Sequence, residues 1–157
     1  MGADMKRILL ADDSLQDTEL TLTALEELHL VNEITTVRDG VEALDYLHQA
    51  GTLADSDTPL VVILDVKMPR LNGLEVLRKM KEDPALRCIP VVMLTSSREE
   101  CDLLESYQLG ANAYVVKPVD FQQFLDAVRR LGVFWAIVNE PPPGPNRRAG
   151  VPSSSTG

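Results

Sequence analysis

Apolar and polar positions along this chain follow two alternating periods. Compact apolar runs recur at Ile8-Leu9-Leu10-Ala11, Leu60-Val61-Val62-Ile63-Leu64, Val91-Val92-Met93-Leu94 and Ala113-Tyr114-Val115-Val116. Short runs of this kind, rich in β-branched residues, read as strands buried on both faces of a parallel sheet. They predict strands over 6–11, 60–65, 91–95 and 113–116, and Glu33 to Val37 adds a shorter one. Helical spacing fills the gaps. Residues 15–28 bring Leu15, Leu22, Leu25 and Leu28 on or near one face. Ser14 is placed to cap that helix, and Asp17 in its first turn complements the helix dipole. A second helix follows Gly40 and carries Val41, Ala43, Leu44 and Leu47. Asn72-Gly73 opens a third, with Leu74, Val76, Leu77 and Met80 as apolar positions and Glu75, Arg78 and Lys79 towards solvent; Asp83-Pro84 ends it. A fourth spans 98–108 with Gly110 as its stop, and a fifth runs from near Asp120 to about Val138. Five β/α repeats predict an α/β fold, a doubly wound five-stranded parallel sheet with five helices.

Composition sets limits on this domain. Residues 1–139 carry the apolar mass, whereas 140–157 hold a Pro- and Ser-rich tail too poor in apolar surface to offset the entropy of ordering. Gly51 to Pro59 reads as a loop. The net charge of -9 disfavours nonspecific binding to nucleic acid or anionic membranes. No apolar stretch is long enough for a signal peptide or a membrane span, so a cytoplasmic protein is expected. Cys88 and Cys101 form no CxxC pair and are expected as reduced thiols. His29 and His48 lack neighbours at ligand spacing and read as surface residues.

The chemistry lies at the strand ends. The first strand ends in Asp12 and Asp13, the third in Asp65, the fourth in Thr95 and the fifth in Lys117. In a parallel sheet these ends share one edge, where open α/β sheets bind ligands. If the first and third strands are neighbours, three carboxylates converge and call for a cation. Oxygen ligands without His or Cys favour Mg²⁺ or Mn²⁺ over Zn²⁺. Asp65 could then accept a phosphoryl group, with Lys117 as a point charge and the Thr95 hydroxyl as a donor. A unit charge pair at ~4 Å contributes roughly 4 kcal/mol at an effective dielectric near 20, so Lys117 or the cation should outweigh the neutral Thr95 bond. Singly, each residue has a plainer reading as a cap or a turn. Jointly, five matched positions at four strand ends do not.

These residues resemble the receiver domain of two-component response regulators. The resemblance rests on Asp12-Asp13, on Asp65-x-x-Met68-Pro69-x-x-Asn72-Gly73, on Thr95-Ser96 and on Tyr114-Val115-Val116-Lys117-Pro118, and it covers residue 6 to about 138. It implies a flavodoxin-like fold and a phosphoryl group received on Asp65 from a histidine kinase. It implies that Asp12, Asp13, Asp65 and the backbone carbonyl of Lys67 hold Mg²⁺. It further implies a Thr95–Tyr114 switch that rearranges the face of the fourth helix, fifth strand and fifth helix, and a cis Lys117–Pro118 peptide. Lys67 and Ser97 match positions that tune phosphoryl loss.

Weaker features narrow the resemblance. The loop at 51–59 and the ending Phe134-Trp135-Ala136-Ile137-Val138-Asn139-Glu140-Pro141 look like single-domain regulators that partner phytochrome-type histidine kinases. The remaining tail is too short for a DNA-binding domain, so signalling by protein contact or phosphotransfer is expected. Phe134, Trp135, Ile137 and Val138 exceed what one core face requires, which predicts a homodimer through the fourth and fifth helices and the C-terminal segment. The protein is expected to catalyse only its own phosphorylation and dephosphorylation. A haloacid-dehalogenase-like phosphatase would need a second Asp at position 67, where Lys stands. The alternative is a receiver-fold interaction scaffold that works without phosphate.

Overall fold

The computed structural model describes residues 7–27, 33–51 and 58–131. Strands and helices alternate: β1 (Arg7–Ala11), α1 (Leu15–Glu27), β2 (Glu33–Val37), α2 (Gly40–Gly51), β3 (Val61–Asp65), α3 (Gly73–Glu82), β4 (Val91–Thr95), α4 (Arg98–Ser106), β5 (Ala113–Val116) and α5 (Phe121–Arg129). The strands form one sheet in the order β2-β1-β3-β4-β5. All pairings are parallel, so β1 and β3 are neighbours. Ala11 lies opposite Leu64, Asp65 opposite Leu94 and Thr95 opposite Val116. This register brings the C-terminal ends level.

The strand sequences sort their side chains by the period of two. Ile8, Leu10, Ile63, Leu94 and Val115 face one core, closed by Ala24 and Leu25 of α1 and Phe124 and Val128 of α5. Leu9, Val62, Leu64 and Met93 face the other, closed by Leu47, Leu77, Met80 and Leu104 of α2, α3 and α4. Both faces of β3 and β4 are therefore buried, as their unbroken apolar sequences require.

Three expectations need correcting. Leu15 is 63% exposed. It is the first residue of α1, and the buried face begins a turn and a half later, with Thr21, Ala24 and Leu25. Thr21 is tolerated there because its hydroxyl donates to the Asp17 carbonyl at 3.1 Å. The helix α4 stops at Ser106 rather than 108, and the left-handed residue after it is Gln108, at φ 52°, ahead of Gly110. The helix α5 stops at Arg129 rather than near Val138. Its last turn tightens as the N–H groups of Arg130 and Leu131 donate to Ala127 and Val128, three residues back. Phe134, Trp135, Ile137, Val138, most of the 51–59 loop and the 140–157 tail lie outside the described residues.

Candidate phosphoacceptor site

The strand order joins Asp12 and Asp65 at the centre of the sheet's C-terminal edge. Both are almost fully buried, at 2% and 5% exposed, whereas Asp13 faces solvent. Carboxylate oxygens of Asp12, Asp13 and Asp65 lie within 4.8 Å of one another. The local backbone makes room for this. A Cβ on Gly73 would sit 2.1 Å from the Asp65 carbonyl oxygen, so α3 begins in direct contact with the Asp65 peptide and only glycine fits. The cap on that helix is a full capping box: Asn72 accepts the Glu75 N–H at 2.9 Å and Glu75 accepts the Asn72 N–H at 3.2 Å. The Lys67 N–H donates to Asp65 Oδ1 at 3.4 Å, and the Ser14 N–H to Asp12 Oδ1 at 2.9 Å.

Lys117 follows β5 and reaches back across the edge. Its Nζ donates to Asp65 Oδ2 and to Asp17 Oδ2, each at 2.9 Å, and to Asp12 Oδ1 at 3.3 Å. The Lys117–Pro118 peptide is cis, as the receiver resemblance implies. Asp17 is the member that sequence reasoning missed, since it reads equally well as a dipole-complementing residue. The available signal is position: an acid in the first turn after an acidic strand end overlooks that strand's edge.

Burial pushes the Asp65 carboxyl up to about 6 from 3.8, against the hydrogen bond and charge of Lys117, which pull it down. The nearby Asp12 adds to the rise. For Lys117, burial disfavours the ammonium, but the carboxylates of Asp17, Asp65 and Asp12 outweigh it and hold the group above lysine's usual range. Lys117 is therefore a fixed cation.

One observation bears directly on a metal. Asp12 Oδ2 is buried and has no hydrogen-bond partner, although it lies 3.2 Å from Lys117 Nζ. A buried carboxylate oxygen left without a donor, beside two more acids and no His or Cys, fits a hard divalent cation.

Thr95 and Tyr114 stand apart from this cluster. Thr95 ends β4, fully buried, and its hydroxyl donates to the Ser97 carbonyl at 3.3 Å. Tyr114 is half-buried on β5, with its hydroxyl 3.5 Å from the Leu104 carbonyl on α4. Burial pushes its pKa up, and Glu105 adds to this.

This fold, with an acidic pair, a buried Asp and a Lys meeting at the edge of a (βα)5 sheet, defines a class. Residues 8–129 match the response regulator receiver domain family, and the chain belongs to that family. It is a receiver-domain response regulator, a signalling protein of two-component phosphorelays. Among solved structures it is similar to the bacteriophytochrome response regulator RtBRR, at 54% identity and a TM-score of 0.76, covering 89% of this chain and 86% of that one. The bacteriophytochrome response regulator AtBRR gives 56% identity and 0.75, covering 87% and 99%. Response regulator Rcp1 of a Synechocystis species is 36% identical over 130 residues, 83% of this chain and 88% of Rcp1. The structure of Rcp1 in its Mn²⁺-bound form aligns at 32% identity with a TM-score of 0.62, covering 83% and 92%. No helix among the described residues is long and apolar enough to cross a membrane.

Proposed function

We propose that Asp65 accepts a phosphoryl group from a histidine kinase. The observation that carries this reading is the position of its carboxylate: buried at the end of β3, bonded to Lys117 Nζ at 2.9 Å, and within 4.8 Å of Asp12 and Asp13 oxygens. A carboxylate oxygen of Asp65 attacks phosphorus; the P–O bond forms as the P–N bond of the phosphohistidine breaks. The imidazole nitrogen leaves with the bonding pair and takes a proton from solvent. Lys117 is already held by Asp17 and Asp12, so its Nζ transfers from Asp65 to a phosphoryl oxygen with little motion. Asp12, Asp13, Asp65 and the Lys67 carbonyl would hold Mg²⁺ or Mn²⁺, which supplies positive charge for the phosphoryl oxygens. The Thr95 hydroxyl exchanges the Ser97 carbonyl for a phosphoryl oxygen. Tyr114 then turns inwards, releasing a bond to Leu104 that at 3.5 Å is weak. The protein thus catalyses its own phosphorylation and dephosphorylation and turns over no separate substrate.

The kinase is of phytochrome type, a reading supported by similarity to two proteins named as bacteriophytochrome response regulators. The setting is cytoplasmic, and the target is a protein rather than nucleic acid. Exposed Leu103, Tyr107 and Leu109 on and after α4 support a homodimer through α4, α5 and the C-terminal segment with Phe134, Trp135, Ile137 and Val138.

The test is incubation with a small phosphodonor and Mg²⁺ beside Asp65→Asn, read by intact mass and elution volume. A single Mg²⁺-dependent phosphoryl adduct absent from the variant is expected. If no adduct forms with the donor or with a phytochrome-type kinase, the phosphate-independent scaffold replaces this reading.

A further inference from the structure

The loop from Val66 to Asn72 carries the Lys67 backbone past Asp65, and its tip is strained. Arg70 has φ 68°, and the Leu71 N–H donates to the Pro69 carbonyl at 2.7 Å. A bond to the carbonyl two residues back, closed around a positive-φ residue, is the rare and strained form of γ-turn. A side chain with a Cβ keeps that conformation only where its surroundings impose it. The loop's ends are tied to the sheet and to each other: the Val66 N–H donates to Leu94 and the Gly73 N–H to Val66, both at 2.9 Å.

The tip is tied to α2 instead. Arg70 Nη1 lies 3.2 Å from Asp39 Oδ2, and the Asp39 side chain is only 9% exposed. The other oxygen, Asp39 Oδ1, caps α2 by accepting the Glu42 N–H at 2.8 Å. Next to it, a Cβ on Gly40 would lie 2.0 Å from the Leu71 carbonyl oxygen, so the start of α2 and the loop touch backbone to backbone. The helix α2 contributes nothing to the carboxylate cluster, yet it braces the loop that borders it.

We propose that Arg70 and Asp39 are a positioning pair that holds the β3–α3 loop in register, so that the Lys67 backbone faces Asp65 for cation binding. This rests on the reading of Asp65 as phosphoacceptor and of the Lys67 carbonyl as a ligand. The Arg70 side chain is 57% exposed, so the pair adds little to global stability. Its effect is on geometry. Partners that orient a metal ligand commonly govern affinity by a factor of ten or more without touching the ion.

The experiment measures Mn²⁺ affinity by calorimetry and metal-free thermal stability for the full chain and for Arg70→Gly, Asp39→Asn, their double variant and Arg70→Lys. Arg70→Gly removes the guanidinium and the cost of a Cβ at positive φ together. Asp39→Asn keeps a good cap on α2 and removes the charge. Each is expected to weaken Mn²⁺ binding about tenfold, with metal-free melting nearly unchanged. The double variant should be no weaker than either single one, and Arg70→Lys should recover part of the loss. If Arg70→Gly and Asp39→Asn bind Mn²⁺ as tightly as the unaltered chain while Asp65→Asn does not, the positioning pair is wrong and the phosphoacceptor reading stands. If the unaltered chain itself binds no Mn²⁺, or binds it equally without Asp65, the reading of the site fails and takes the pair with it.

Discussion

At Asp65, burial and Lys117 act in opposite directions, and burial prevails. Its carboxyl titrates near 6 in the folded protein against 3.8 for a free side chain. Between those values the folded chain binds more protons than the unfolded one, so stability of the metal-free protein falls as pH rises from about 4 through about 6. Above that window the ionised group costs stability, and Asp65→Asn should stabilise the metal-free protein by about 1–3 kcal/mol at neutral pH. Denaturant unfolding at two pH values checks this, with the gap closing near pH 4. Removal of Lys117 acts the other way. Lys117→Ala leaves Asp12, Asp17 and Asp65 without their shared cation, and should destabilise the metal-free protein by about 3 kcal/mol. Added Mg²⁺ should recover part of that loss, which a titration of melting temperature against Mg²⁺ measures. Each acid and the lysine are legible in the sequence at strand ends. Their combination with Asp17 is not, because α1 has to be docked before its first turn is known to overlook the edge.

At the scale of elements, the chain's punctuation is mostly local and therefore readable. Asn72 with Glu75 forms the capping box of α3, and Asn72→Ala should cost about 1 kcal/mol in unfolding free energy. Gly73→Ala should cost more, because its Cβ would meet the Asp65 carbonyl at 2.1 Å, and phosphoryl adduct formation should fall with it. Four of the five strands fall on the apolar runs; β1, β3 and β4 are buried on both faces and have little freedom in composition, whereas β2 is only partly buried and carries no such run. Helix faces were harder. Leu15 fits a helical apolar period yet is exposed, because periodicity alone does not say how far a helix projects past the sheet. The end of α5 was harder still. Apolar residues continue from Phe134 to Val138, and periodicity does not register a break introduced by the backbone at Arg129 to Leu131.

At the scale of the molecule, every candidate site residue from Asp12 to Lys117 lies inside the stretch that matches the receiver family. A chain ending at residue 139 should therefore form the phosphoryl adduct at the same rate as the full one, by intact mass over time. The reach of Lys117 has a further consequence, for the birth of the protein. Its partners Asp12, Asp17 and Asp65 precede it by 105, 100 and 52 positions. Pairings so distant in sequence are closed late, after the strands between them have assembled. During synthesis the three acids leave the ribosome before their lysine, and a sheet that pairs β1 with β3 ahead of β5 holds their carboxylates without its charge. On the proposed roles of Asp65 and Lys117, a nascent chain cannot take up a phosphoryl group until β5 has emerged and docked, so the capacity to receive a signal would itself certify completed folding.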